Sequence, residues 1–163
     1  MKRFFGFFLT FLAITFLAVN YFFSIYIVSD NSLLPALDKG SRVLVLNQNR
    51  KIERGDLVVF INRYDGNKHY IQRVVGMPGD VIEFRRDKLI VSSSNQNSSL
   101  LYSLDRDYPQ SRSLVSDDSY YLLGDNLSVS KDSRLWGLIK REDITGVAIW
   151  QVVKEPTVSI GTL

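Results

Sequence analysis

Tyr70-Ile71-Gln72-Arg73-Val74-Val75-Gly76-Met77-Pro78-Gly79-Asp80 is an apolar, β-branched run that stops at a Pro-Gly-Asp turn. Its alternation decides the fold. Tyr70, Gln72 and Val74 fall on one face and Ile71, Arg73 and Val75 on the other, the period of two that marks a strand. Gln72 therefore points inward among apolar neighbours. A buried amide left unpaired costs about 1–3 kcal/mol, so the pattern predicts an assigned partner for Gln72.

Outward from this strand the chain breaks into short β elements. Arg42–Asn47 and Leu57–Ile61 read as strands, the second apolar enough to be buried on both faces. Asp65-Gly66-Asn67 makes a hairpin turn into the Gln72 strand. Val81–Phe84 and Lys88–Val91 flank Arg85-Arg86-Asp87, which reads as a second hairpin turn. Ser92 to Ser119 is rich in Ser, Asn, Asp and Gln with few apolar residues, the composition of a mobile insert or small flap. Tyr120–Leu123 and Ile144–Val153 read as strands again, and the tail 154–163 as unstructured. With no repeats, no heptads and no strong helical periodicity in this region, the expectation is a mainly β, antiparallel domain.

Phe4 to Val28 carries no charged side chain and is dense in Phe, Leu and Ile, and about 20 such residues cross a bilayer. A cleaved signal peptide would have an apolar region of about 7–15 residues and a small-residue cleavage site, whereas this run continues through Tyr21-Phe22-Phe23. An uncleaved anchor is expected over residues 4–28. Lys2 and Arg3 precede it and Ser29-Asp30-Asn31-Ser32 follow, so the positive-inside bias places the N-terminus in the cytoplasm and residues 29–163 outside. The net charge is +3, with no basic cluster that would suit a nucleic acid. There is no cysteine, which excludes disulfides and thiol catalysis.

One constellation carries chemistry. Gly124-Asp125-Asn126, Ser130, Asp132-Ser133-Arg134 and Gly137 form a pattern too specific for a chance turn. Together with Ser32-x-x-Pro35, Arg54-Gly55-Asp56 and Arg73-Val74-Val75-Gly76-x-Pro78-Gly79-Asp80, it resembles the type I signal peptidases. These are membrane-anchored serine endopeptidases that clip leader peptides from exported proteins. The resemblance covers the anchor and nearly all of residues 29–153, and the small size is similar to the Gram-positive branch. It implies two coiled antiparallel β-sheets, no metal and no cofactor.

By that resemblance Ser32 sits at the nucleophile position. The family activates this serine with a lysine kept neutral in an apolar site, because a hydroxyl needs an adjacent base and desolvation lowers an amine's pKa. Here the matching position is Gln72, whose amide can hold a hydroxyl but cannot take its proton. Ser130 matches the serine that orients the lysine, and Asp132 and Arg134 match a structural pair. Arg73 neighbours the missing base. Asp30 occupies the position where a serine or glycine supports the oxyanion hole, so its carboxylate would repel the developing charge. Leu33 and Ala36 replace the usual Met and Thr. Gly76, Pro78, Gly79, Asp80 and Gly137 are read as turn formers.

Substitute bases are few. Lys68 lies four residues back, about 13 Å at 3.3 Å per residue, which is beyond hydrogen-bond reach. His69 falls on the opposite face of a regular strand, and Lys131 is a weak candidate on a flexible stem. The expectation is a non-proteolytic or weakly proteolytic homologue that binds exported precursors or pilin subunits, similar to the inactive homologues found beside pilus genes. The alternative is an active leader peptidase with an unrecognised base.

Overall fold

A computed structural model describes residues 2–47, 50–93 and 98–152. The chain opens with helix α1 (Lys2–Phe22), and strand β1 (Phe23–Ile27) follows without a connecting residue. The remaining strands are β2 (Arg42–Asn47), β3 (Leu57–Asn62), β4 (Lys68–Gly76), β5 (Val81–Ser92), β6 (Ser99–Leu114), β7 (Ser119–Leu123), β8 (Ile139–Lys140) and β9 (Ile144–Val152), with a short helix α2 (Ser133–Trp136) before β8. The tail 154–163 lies outside the described residues.

Strands β1-β2-β9-β3-β4-β7-β8 form one seven-stranded sheet, and β5-β6 form a separate two-stranded sheet. Every pairing is antiparallel. The large sheet is coiled. Four inter-strand steps separate β1 from β4, about 19 Å in a flat sheet. Yet the rings of Tyr26 on β1 and His69 on β4 lie 5.6 Å apart.

Both faces of the central strands are buried. Val58, Phe60 and Val74 belong to one apolar cluster with Leu122, Ile139, Ile144 and Val147. Val59 points the other way, into a cluster with Val28, Leu33, Leu37, Val43 and Val45. That second cluster ties the Ser29–Leu37 segment to the sheet, which positions Ser32.

Three expectations are refined by the structure. Among the described residues no helix is long and apolar enough to cross a membrane. The run expected as one span over 4–28 is divided at Phe22: its outer end pairs with β2, Phe23 opposite Leu46 and Ile27 opposite Arg42. A stretch this apolar suits either conformation, and an open sheet edge decides for the strand. Second, Arg85-Arg86-Asp87 is not a hairpin turn. It is an irregularity inside β5, with Arg86 at φ 55° and register shifts on both sides. Third, much of the polar stretch between Ser92 and Ser119, expected as a mobile insert or small flap, is a strand of the two-stranded sheet. Residues 99–114 form β6, running from Ser99 opposite Ser92 to Leu114 opposite Val81. Cross-strand pairing satisfies its backbone, and Leu104 and Val115 bury it against Val75, Ile82, Leu89 and Tyr121.

Candidate active site

Strand β4 carries Gln72 into the interior, where it is 1 % exposed. Its Nε2 donates to the Lys131 carbonyl at 2.9 Å and to Ser130 Oγ at 3.3 Å. The partner that burial requires is therefore the 130–131 loop rather than Ser32. The structure brings Gln72 and Ser130 together.

Ser32 lies beside this pair and is 4 % exposed. Its carbonyl accepts the Asn126 N–H at 2.9 Å. Gly124 separates it from Ser130: a Cβ at Gly124 would stand 2.2 Å from Ser130 Oγ and 2.7 Å from the Ser32 carbonyl oxygen. A side chain there would force the two serines apart, so glycine is required by close approach. The Ser32 hydroxyl makes no hydrogen bond to Gln72 or to any other described residue.

Asp30 takes a part that sequence reasoning missed. Its Oδ1 accepts the backbone N–H of Ser32 at 2.9 Å, an Asx turn. In serine acyl transfer the nucleophile's own N–H is a standard oxyanion donor. The Ser32 N–H is already engaged by a carboxylate. An aspartate two residues before a serine is a readable Asx-turn signal, so the contact was accessible in principle.

The surrounding loop is held by ion pairs. Asp132 and Arg134 form a bidentate pair, Nε to Oδ1 at 2.8 Å and an Nη2 contact to Oδ2 at 2.9 Å, almost wholly buried. Asp132 also accepts the Gly124 N–H, and Arg134 donates to the carbonyls of Leu127 and Ser130. Arg73 points away from Ser130 and grips Asp125 in a second bidentate pair at 2.7 and 2.6 Å, with a further bond to the Gly55 carbonyl. The Asp125 hydrogen bonds outweigh the cost of burial and raise the Arg73 pKa. Arg54 clamps the Asp80 turn through the Asp80 carboxylate and the Val75 carbonyl. Sequence reasoning gave Asp125 no role, because its partner lies across the β4–β7 boundary.

None of the substitute bases touches Ser32. Lys68 pairs with Asp65 at 3.0 Å on the surface. The Lys131 side chain is exposed, while its backbone carbonyl serves Gln72. His69 leaves β4 on the side opposite Gln72, yet the folded Ser29–Leu33 segment brings it to the wall of a cavity that Ser32 also lines. Tyr70 lines it too. Its hydroxyl donates to Asp65, and burial, with that carboxylate behind it, pushes its pKa up to about 12. Among the described residues no group of His, Asp or Glu could hold a metal ion.

The family model for signal peptidase, peptidase S26, matches residues 1–153. The chain belongs to the signal peptidase I family. Signal peptidase I P of Bacillus subtilis subsp. natto is 34 % identical over 149 residues, 83 % of this chain and 80 % of the relative. Signal peptidase IB of Staphylococcus aureus strain COL is 33 % identical over 153 residues, 82 % and 79 % of the two chains. A crystal structure of a signal peptidase I from Enterococcus faecalis V583 shares 25 % identity and a TM-score of 0.44, covering 63 % of this chain and all of that one. Members of the signal peptidase I family act on exported precursor proteins with leader peptides.

Proposed function

We propose that this signal peptidase I homologue engages exported precursors at the outer face of the membrane and cleaves them weakly or not at all, as a binding or assembly factor, for instance in pilus biogenesis. The observation that carries the reading is the Gln72 carboxamide. It is buried where a base would stand, its amide hydrogens are directed to Lys131 and Ser130, and no basic nitrogen among the described residues contacts the Ser32 hydroxyl. Ser32 is the nucleophile position, Ser130 the orienting position, and Arg73, Asp132 and Arg134 the structural supports. The Asp30 contact to the Ser32 N–H disfavours an oxyanion independently of the missing base.

The tether to the bilayer is part of the same reading. It rests on shared apolar surface rather than on a described span: Phe4, Phe7 and Phe11 of α1 are 82, 75 and 67 % exposed. Ile25 and Ile27 of β1 and Trp150 of β9 continue that surface at 63, 62 and 70 %. Ile25 pairs with Leu44, and Leu44 with Trp150, so the three lie in one row across the sheet. Lys2 and Arg3 favour a cytoplasmic N-terminus.

The deciding experiment uses the full chain in detergent with a fluorescent precursor peptide ending its leader in Ala-x-Ala. Saturable binding without cleavage, still measurable in Ser32→Ala, is expected. Cleavage that vanishes in Ser32→Ala would establish the second reading, an active signal peptidase, which its resemblance to enzymes of that name favours.

A further inference from the structure

The cavity that Ser32 shares with His69 has a volume of about 110 Å³ and lies where β1 runs into the Ser29–Leu33 segment across from β4. Val28, Leu33 and Ile71 give it apolar walls, and Asp30, Ser32 and His69 give it polar ones. The Ser32 hydroxyl, on a residue 4 % exposed, has no hydrogen-bond partner among the described residues. Asp30 makes one hydrogen bond, to the Ser32 N–H, and no ion pair with any described residue. Its charge reaches the cavity wall: behind burial and Asp65, it adds to what holds the Tyr70 phenol protonated.

An unpaired carboxylate, a free hydroxyl and aliphatic walls select for a particular occupant. A carboxylate-bearing side chain would meet Asp30 as a like charge. A purely alkyl side chain would displace water from the buried Ser32 and from Asp30, which is itself exposed, and return no hydrogen bond to either. A primary ammonium on a short alkyl stem satisfies both. At ~30 Å³ per water the cavity holds the volume of three or four waters, enough for such a group.

We propose that this cavity recognises a lysine side chain of a bound client. Asp30 is the counter-ion, Ser32 Oγ an acceptor for the ammonium, and Val28, Leu33 and Ile71 the bed for the stem. The proposal rests on the reading of this site as a precursor-binding site. It also gives Asp30 a role that its contact to the Ser32 amide alone does not require.

The probe is n-butylammonium, with n-butanol as the uncharged match, titrated into the full chain in detergent. His69 is the single histidine of the chain, so its ring signals in a ¹H–¹³C spectrum report the cavity without assignment. The expected result is a saturable His69 shift with butylammonium at least tenfold tighter than with butanol, lost in Asp30→Asn and kept in Asp38→Asn. Asparagine retains the acceptor for the Ser32 N–H, so the turn survives while the charge goes. Equal responses to both probes, a preference that persists in Asp30→Asn, or no saturable shift would each overturn the lysine proposal. A chain that binds leader peptide without the butylammonium response loses this inference alone. One that responds to butylammonium but binds no leader loses the precursor-binding reading alone.

Discussion

Asp30 and Ser32 are joined through a backbone amide: the carboxylate oxygen Oδ1 accepts the Ser32 N–H at 2.9 Å. On the proposed reading of Ser32 as the nucleophile position, two features oppose hydrolysis from different directions. The amide of Gln72 cannot accept a proton from Ser32, and Asp30 occupies the donor that would stabilise the resulting oxyanion. Because one acts on proton transfer and the other on charge stabilisation, repairing either alone leaves the other in force.

Gln72→Lys alone should therefore restore little cleavage of an Ala-x-Ala peptide. Gln72→Lys combined with Asp30→Gly should cut about 10²–10³ times faster than the single variant, the usual worth of one oxyanion donor. Single-turnover rates on the full chain in detergent measure this. Equal rates for the single and double variants would mean that the Asp30 contact does not matter to the chemistry.

Gly124→Ala should destabilise the fold by about 1–3 kcal/mol, the common cost of overpacking. The new methyl group would lie 2.2 Å from Ser130 Oγ and 2.6 Å from its Cβ, and 2.7 Å from the Ser32 carbonyl oxygen, so the loop must shift. Urea denaturation gives the magnitude. Leader-peptide affinity should fall with it, since the same loop anchors Ser32 through Asn126.

Tyr70 predicts an alkaline limit to stability. Burial, then the hydrogen bond to Asp65, raises its pKa from 10 to about 12. A folded-state pKa above the unfolded one means that the native state holds the proton more tightly. The stabilisation is full below pH 10 and is lost as pH rises towards 12. Denaturation midpoints measured from pH 9 to 11.5 should fall more steeply for the wild type than for Tyr70→Phe. Absorbance at 295 nm should show one late-titrating phenol fewer in the variant.

Trp150 should report the membrane. The chain has two tryptophans, and Trp136 packs internally against Phe60 and Tyr70, so Trp136→Phe leaves a single probe that is 70 % exposed. In vesicles carrying brominated acyl chains, Trp150 emission should be quenched, with little added quenching by aqueous iodide. The reverse pattern would place this face in water and remove the support it gives to the tether.

The sequence by itself determined the family and the antiparallel β class. Those depend on local signals: a period of two around Gln72, turn residues at Gly66 and Gly79, and a spaced motif from Gly124 to Gly137. The bounds of β2 and the inward aim of Gln72 follow from the same patterning. What tertiary structure decided are the features whose partners are distant in sequence. Phe23–Ile27 suits a helix or a strand on composition, and the open edge of β2 makes it a strand. The Ser99–Leu114 segment is too polar to announce itself, yet pairing with β5 satisfies its backbone, and buried Leu104 with half-buried Tyr102 and Tyr108 seats it. The coiling of the sheet brings Tyr26 to His69 and so forms the cavity beside Ser32, which no spacing along the chain could reveal. Sequence patterning specifies which face of an element is apolar. It leaves open which other element covers that face, because several partners can bury the same surface until the whole sheet closes.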